Sequence, residues 1–208
     1  MRSDLLIVAR RDRRPHIEAR GGLAARETEP DTVHLVSAAA TPLGGDSVSV
    51  RIVVESGAVL RIRTVAATLT LPGPTTQESQ SIWTLEVAGQ LDLDPQPMVV
   101  AASSRHLSST RLAIDGSGEI KLRERIQIGR SGERQGFWSG SLHADVDGSA
   151  LLRHRIELGR GSVCDDELAT PMACISELHY PETDVDTAGI ALALARGGCL
   201  STWQGERL

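Results

Sequence analysis

Apolar and polar residues alternate along much of the chain, which is the pattern of half-buried β-strands. In the clearest case Val48, Val50, Ile52 and Val54 share one face. The next run, Ala58 to Thr64, shows the same period of two. Because the turn between the two runs, Glu55-Ser56-Gly57, is short and contains glycine, the sequence predicts a β-hairpin here.

The same alternation continues in short segments that are bounded by turn residues. A second hairpin is predicted around Gly89, between Ile82 to Val87 and Gln90 to Asp94. Strong turns are predicted at Asp115-Gly116-Ser117-Gly118 and at Asp147-Gly148. The other predicted strands are Leu5 to Ala9, His16 to Arg20, Leu23 to Arg26, Val33 to Ser37, Met98 to Ala102, Leu107 to Ile114, Glu119 to Ile128, Phe137 to Val146 and Ala150 to Leu158. About eleven or twelve short strands at this spacing indicate a mainly β fold.

Two segments near the C-terminus are predicted to be short helices. Pro171 to His179 has Thr170 as a cap and proline at the first helical position. Thr187 to Arg196 ends at Gly197-Gly198, and its apolar residues cover nearly every face of a helix. Such a helix must be buried or covered by a partner chain. The length of 208 residues favours a single domain over residues 1–208.

One strand carries a charge on its apolar face. In Glu119 to Ile128, the alternation places Glu124 among the apolar side chains Ile120, Leu122, Ile126 and Ile128. An ionised carboxylate in an apolar environment costs several kcal/mol unless it is paired or hydrated, so this position needs a reason.

A glycine-flanked charged turn follows this strand, with the sequence Gly129-Arg130-Ser131-Gly132-Glu133. It lacks the Lys-Ser/Thr of a phosphate-binding loop, and a strand is predicted after it, so nucleotide binding is excluded. Two interpretations remain. Arg130 pairs with Glu124 or Glu133 and fixes the sheet, or the carboxylates line an internal path or a recognition surface.

Composition and charge narrow the classes of function. The net charge of −5 argues against a nucleic-acid partner. The apolar run Leu5 to Ala9 is too short for a signal peptide or a membrane span. Three cysteines, Cys164, Cys174 and Cys199, form no CxxC motif and fit reduced thiols in a cytoplasmic protein.

No motif of catalysis or of a standing metal site is present. The six histidines show no ligand spacing, and the cluster Cys164-Asp165-Asp166-Glu167 fits a solvated acidic turn better than a metal contact. Paired carboxylates, Glu124 with Glu133 or Asp46, leave open a β-sandwich carbohydrate-active enzyme or binding module. Against this alternative, aromatic residues make up only 2 % of the chain, and sugar sites usually need aromatic platforms.

Taken in order, several segments resemble the UreD (UreH) family of urease accessory proteins, in its short actinobacterial form. The matching segments, between about residues 20 and 160, are Pro42-Leu43-Gly44-Gly45-Asp46, Val48 to Val54, Thr64-Val65-Ala66-Ala67-Thr68, Leu93-Asp94-Pro95-Gln96-Pro97, and Glu124 followed by Gly129-Arg130-Ser131-Gly132-Glu133. The usual family member is longer, and its Lys and Tyr after the threonine-rich segment are replaced here by Leu69-Thr70-Leu71.

The resemblance implies a non-enzymatic chaperone of urease maturation. It implies an extended layered arrangement of many short antiparallel strands with one or two short helices near the C-terminus. Its expected partners are UreF, the GTPase UreG and apo-urease, without nucleic acid or membrane. No cofactor is permanently bound, and nickel passes through transiently.

The resemblance also assigns roles to residues of this chain. Asp46, Glu124 and Glu133 are expected to line the nickel path, with Arg130 as the supporting ion-pair partner. Gly44, Gly45, Gly129 and Gly132 are expected to shape the turns. On the C-terminal helix, Ile190, Leu192 and Leu194 are expected to dock UreF.

Overall fold

The computed structural model describes residues 1–165, 170–183, 185–187 and 189–208. In these residues the chain forms seventeen β-strands and no helix, so none of it is a helix long and apolar enough to cross a membrane. The strands form two sheets. The first sheet contains β1 (Arg2–Ala9), β2 (His16–Arg20), β5 (Ser47–Val54), β8 (Glu78–Val87), β11 (Arg105–Ile114), β13 (Phe137–Val146) and β14 (Ser149–Gly159).

The second sheet lies against the first and has ten strands. It contains β3 (Leu23–Glu29), β4 (Thr32–Ser37), β6 (Val59–Thr64), β7 (Thr68–Thr70), β9 (Gln90–Leu93), β10 (Met98–Val100), β12 (Glu119–Ile128), β15 (Ala173–Tyr180), β16 (Ile190–Ala193) and β17 (Cys199–Gly205). The short strands β7 and β10 pair with each other, and β10 also pairs with β12.

The centre of the molecule is a solenoid. The strand order is β14-β13-β11-β8-β5-β1-β2 in the first sheet and β16-β17-β15-β12-β9-β6-β4-β3 in the second. From β5 to β13 the chain passes back and forth between the sheets, and neighbours within each sheet run parallel. Antiparallel pairs such as β1/β2, β3/β4, β13/β14 and β15/β17 lie towards the ends of the sheets.

The expectation of antiparallel strands was therefore wrong for the central part, where the two predicted hairpins are absent. Strands β5 and β6 flank Glu55-Ser56-Gly57 but belong to different sheets, as do β8 and β9 around Gly89. At both places the chain turns a corner of the solenoid. Val54 and Leu60 face the same interior from opposite sheets, at 1 % and 0 % exposure. A solenoid corner and a hairpin need the same short glycine turn between alternating strands, so local sequence does not distinguish them.

Other local predictions were confirmed. The four early strands are present as β1 to β4, and Asp147-Gly148 joins the antiparallel strands β13 and β14. Ile120, Ile126 and Ile128 of β12 are buried, as the alternation of this strand predicts.

Both predicted helices were wrong. Pro171 to His179 contains most of β15, which pairs with β12 and β17, and this tertiary pairing overrides the local helix signals. Thr187 to Arg196 contains β16, although residue 188 lies outside the described residues. Ile190, Leu192 and Leu194 alternate with alanines. That period of two explains why apolar residues appeared on every face of the supposed helix.

Apolar side chains pack between the sheets in two clusters. The larger cluster surrounds Ile52, Leu60, Leu85 and Leu112, and is built mainly from the solenoid coils and the early strands. The smaller contains Val100, Ile126, Ile128, Trp138, Ile156, Leu158, Met172 and Cys174. The region between these two clusters is not filled by apolar side chains, and it contains the candidate site.

Candidate functional site

A cavity of about 340 Å³ lies between the two sheets. Its walls include Leu35 and Leu178 from the larger apolar cluster and Ile126 and Ile156 from the smaller one. Its volume is within the range of small-ligand sites, and a few polar groups interrupt its apolar wall. The cavity therefore lies where the two apolar clusters meet, and its wall extends to the exposed side chain of Val65.

One polar part of the cavity wall comes from the inner face of the first sheet. Ser81 of β8 lies directly opposite Ser108 of β11, and Ser79 lies opposite His106 one row further along. All four residues are at most 9 % exposed. Small hydroxyl side chains at these inward positions leave space that Leu or Ile would fill.

Glu124 enters the cavity from the second sheet. On β12 it shares the inward face with Leu122 and Ile126, and it lies opposite Ser176 of β15. Among the described residues it has no ion-pair partner. Burial raises the pKa of Glu124 to about 7, while a hydrogen bond from the Ser108 hydroxyl opposes this rise. At neutral pH the cavity thus holds a carboxyl group that is partly ionised and not neutralised by a cation.

Three other titratable groups close to Glu124 are held in their neutral forms. Burial lowers the pKa of His106 to about 4, so its imidazole is uncharged at neutral pH. Burial and the nearby Glu124 raise the pKa of the Cys174 thiol to about 12. Burial also lowers the pKa of His154. These three groups therefore add no charge at neutral pH, and the charged side chains of the cavity lining are Glu124, Arg123 and Arg125.

Three polar atoms of residues that line the cavity have no hydrogen-bond partner in the described part of the chain. These are Nε of Arg125, Nε1 of Trp138 and Nε2 of His154. The Trp138 ring lies over Gly140, where a Cβ would be only 2.2 Å from the indole. Gly140 therefore allows the large indole to lie flat against the first sheet rather than across the cavity.

The outer face of β12 is held by ion pairs. The carboxylate of Asp94 accepts from Arg125 at 2.7 Å and from Arg123 at 3.4 Å, and Arg123 also donates to Glu177 at 2.6 Å. Asp94 belongs to the Leu93-Asp94-Pro95-Gln96-Pro97 segment, which is thereby fixed to the strand that carries Glu124. Arg123 and Arg125 therefore pair with carboxylates other than Glu124, although both also line the cavity and Arg125 Nε has no hydrogen-bond partner among the described residues.

Asp46 closes the loop that precedes β5. Its carboxylate accepts from the Thr41 hydroxyl at 2.9 Å and from the Leu43 amide at 2.8 Å, and it also pairs with the amino group of Met1. The pKa of Asp46 is lowered because these hydrogen bonds outweigh its desolvation. Thr41 lines the cavity whereas Asp46 does not, so Asp46 acts on the cavity wall only through the loop.

Arg130 and Glu133 form a unit of their own in the turn after β12. The Glu133 carboxylate accepts from the Arg130 guanidinium, from the Arg130 amide at 3.0 Å and from the Ala102 amide at 3.0 Å. These contacts, led by that with the guanidinium, lower the pKa of Glu133 to about 2. Arg130 therefore pairs with Glu133 and not with Glu124.

Two glycines of these turns are required by close backbone approach. At Gly44 a Cβ would lie 1.9 Å from the carbonyl oxygen of Thr76, and at Gly129 it would lie 2.1 Å from that of Glu133. Gly129, Gly45 and Gly132 also have positive φ angles of 78°, 90° and 80°.

The residues expected to dock a partner lie at the edge of the second sheet. Ile190 and Leu192 of β16 are 75 % and 59 % exposed, whereas Leu194 packs against the larger core cluster. The register places Ile190 opposite Thr202 and Leu192 opposite Leu200, which is buried. The structure thus leaves two of the three apolar side chains at the surface.

In the described residues no group of three or more His, Cys, Asp or Glu side chains is arranged to hold a metal ion. Within the acidic cluster of the sequence, Asp165 caps its own loop by accepting from the Gly161 amide at 2.7 Å, while Asp166 and Glu167 lie outside the described residues. The cavity lining also contains Glu124 but neither Asp46 nor Glu133, so the described structure does not bring together a pair of hydrolytic carboxylates.

Comparison with known proteins identifies the family. The model of the UreD urease accessory protein family matches residues 11–180 of the chain. The chain belongs to the UreD family. The match includes the solenoid, the cavity wall and the strand that carries Glu124.

Individual UreD proteins support this assignment. The chain is 42 % identical over 159 residues to the urease accessory protein UreD of Frankia alni, which covers 72 % of this chain and 53 % of that protein. It is 37 % identical over 142 residues to UreD 1 of Saccharopolyspora erythraea, and this match covers 67 % of this chain and 56 % of that protein. It is 39 % identical over 178 residues to UreD of Frankia casuarinae, and this match covers 76 % of this chain and 55 % of that protein. The chain spans about half the length of these curated relatives.

Proposed function

We propose that this chain is a non-enzymatic accessory protein of urease maturation that helps to insert nickel into apo-urease. The family assignment supports the accessory role, because the relatives named above are called urease accessory proteins. Nickel is the cargo of this activity and not a resident cofactor.

The cavity between the two sheets, with Glu124 in its wall, carries the proposal. A Ni²⁺ ion in transit needs ligands that bind and release it quickly, and carboxylate, hydroxyl and water oxygens exchange more readily than a closed cage of thiolates and imidazoles. The cavity offers one unpaired carboxyl from Glu124, with the Ser81 and Ser108 hydroxyls nearby. Such a site would attract a cation without holding it permanently.

Glu124 is proposed as the residue of the path that meets the ion. For Asp46 and Glu133, the observed contacts favour turn closure, because each carboxylate already accepts several hydrogen bonds from its own loop. Arg130 supports Glu133 in that role. The path proposed here therefore depends on one carboxyl and on the loops that shape the walls.

The proposed partners are UreF, the GTPase UreG and apo-urease, in the cytoplasm and without nucleic acid. The exposed side chains Ile190 and Leu192 are proposed to contact UreF, since large apolar groups at a sheet edge are otherwise costly in water.

The test is nickel loading of urease in cells that co-express the urease subunits, the other accessory proteins and this chain. Glu124→Gln keeps the shape of the side chain but removes its charge, and it is expected to yield urease with less nickel and less activity. Glu133→Gln, on the surface turn, is the matched control and is expected to retain most of the activity. Full activity with Glu124→Gln, or without the chain at ordinary nickel concentrations, would refute the proposal.

A further inference from the structure

A chain of hydrogen bonds runs along the first sheet to the cavity carboxyl. Ser79 Oγ lies 2.9 Å from His106 Nδ1, and His106 Nε2 lies 3.0 Å from Ser81 Oγ. Ser81 Oγ lies 3.4 Å from Ser108 Oγ. Ser108 and Glu124 line the same cavity, and a hydrogen bond from the Ser108 hydroxyl acts to lower the pKa of Glu124. The parallel register of β8 and β11 produces this arrangement, because it sets the two serines of one strand beside His106 and Ser108 of the other.

The number of protons that each group can donate determines the direction of the hydrogen-bond chain. An ionised Glu124 can only accept, so Ser108 must donate its single proton to it and must accept from Ser81. Ser81 has then used its own proton and must accept from His106, which requires the proton on Nε2. Because the imidazole is neutral, Nδ1 carries no proton and accepts from Ser79. Every donor in the chain thus points towards Glu124.

We propose that His106 is a positioning residue, whose Nε2–H tautomer fixes a one-way chain of donors that holds the Glu124 carboxyl as an acceptor facing the cavity. The proposal rests on the proposed function, in which that carboxyl meets the passing ion. The role is distinct from ligation, because both ring nitrogens of His106 are occupied by serine hydroxyls. A preorganised donor chain of this kind removes the need to reorient dipoles when a cation arrives.

The tautomer can be measured directly by ¹⁵N NMR of the purified chain at pH 8, where Glu124 is mostly ionised. The His106 signals are assigned by their absence from the spectrum of His106→Leu. The expected result is a neutral ring with the proton on Nε2. A proton on Nδ1 would reverse the direction of the chain and overturn the proposal.

A set of variants tests the role in nickel loading with the same co-expression assay. Ser108→Ala breaks the last bond and is expected to lower urease activation about tenfold, which is the size of one lost hydrogen bond to a charged acceptor. Ser108→Thr keeps the hydroxyl and is expected to restore activation. Ser109→Ala, at the next position of the same strand and outside the cavity lining, is the matched control and should have little effect. Co-purification with the partner proteins checks that each variant still assembles.

The outcomes separate this proposal from the proposed function. If Glu124→Gln retains full activation, the cavity path fails. If urease activation is lost with Glu124→Gln but retained with Ser108→Ala, the proposed donor chain is refuted while the proposed nickel path is supported. An equal loss in Ser109→Ala and Ser108→Ala would indicate a general structural role for the serines of this strand and would also overturn the proposal.

Discussion

Removing the charge of Glu124 is expected to stabilise the protein, and the gain should depend on pH. Glu124→Gln replaces a carboxyl by an uncharged group of the same shape, which resembles the protonated acid. The carboxyl lies in the cavity between the sheets, where Glu124 is partly buried, and it has no ion-pair partner in the described structure. Its ionised form is therefore the form that folding disfavours.

The size of the effect follows from the difference in pKa. Folding raises the pKa of Glu124 from 4.5 to about 7. Below pH 4.5 the carboxyl is protonated in both the folded and the unfolded chain, so ionisation costs the folded state nothing. Between pH 4.5 and 7 the carboxyl ionises in the unfolded chain but stays mostly protonated in the folded chain, so the folded state is destabilised progressively. Above pH 7 the full cost of ionising Glu124 in the folded state is reached. At about 1.36 kcal/mol for each unit of pKa, the free energy of unfolding changes by about 3 kcal/mol.

Urea unfolding of the two proteins at pH 5 and pH 8 measures this difference. The variant should gain about 2.5 kcal/mol relative to the wild type between these pH values, because part of the cost is already present at pH 5. Glu133→Gln is a suitable control, because the pKa of Glu133 is lowered to about 2 and the group stays ionised throughout this range. Its effect on stability should thus be independent of pH between 5 and 8. A Glu124→Gln effect that is equally independent of pH would refute the argument for a buried, unpaired carboxyl.

Three further predictions concern other parts of the structure. Gly140→Ala would place a Cβ 2.2 Å from the Trp138 ring, so it should destabilise the fold by about 1–3 kcal/mol in urea unfolding and lower nickel loading; an unchanged midpoint would contradict the packing described. Leu192→Asp should weaken co-purification with UreF without changing stability, whereas Leu194→Asp should destabilise the chain because Leu194 packs against the core. At pH 8 a thiol reagent should modify one cysteine rapidly, the partly exposed Cys164, and three equally fast reactions would show that the other thiols are not buried.

The sequence predicted most individual strands correctly but not how they pair. The alternation of apolar and polar residues shows which side of a strand faces the core. That side is the same whether two successive strands form a hairpin or flank a corner of the solenoid. The turn at Glu55-Ser56-Gly57 and that at Asp147-Gly148 look alike in sequence, yet only the second joins paired strands. Parallel pairing between distant strands is a property of the whole chain, and no short segment encodes it.

The sequence also predicted only part of the candidate site, because a local pattern shows a single strand but not the strand that lies beside it. Glu124 was apparent from a single strand, because it interrupts an apolar face. His106 and Ser108 were not, since their significance depends on lying beside β8. A signal was nevertheless present, because polar residues occupy successive inward positions at the start of both strands, Ser79 and Ser81 in one and His106 and Ser108 in the other.

The parallel pairing of the solenoid also has a consequence for how the chain folds. Ser81 pairs with Ser108 and Ser108 with Gly140, so each step along the first sheet closes a loop of about thirty residues. Contacts this far apart in sequence make folding slow, because loop entropy is lost before the strands are paired. The donor chain and the cavity can form only after β8, β11 and β12 have docked. We therefore expect the site to be completed late in folding, one coil after another, as synthesis proceeds from the N-terminus.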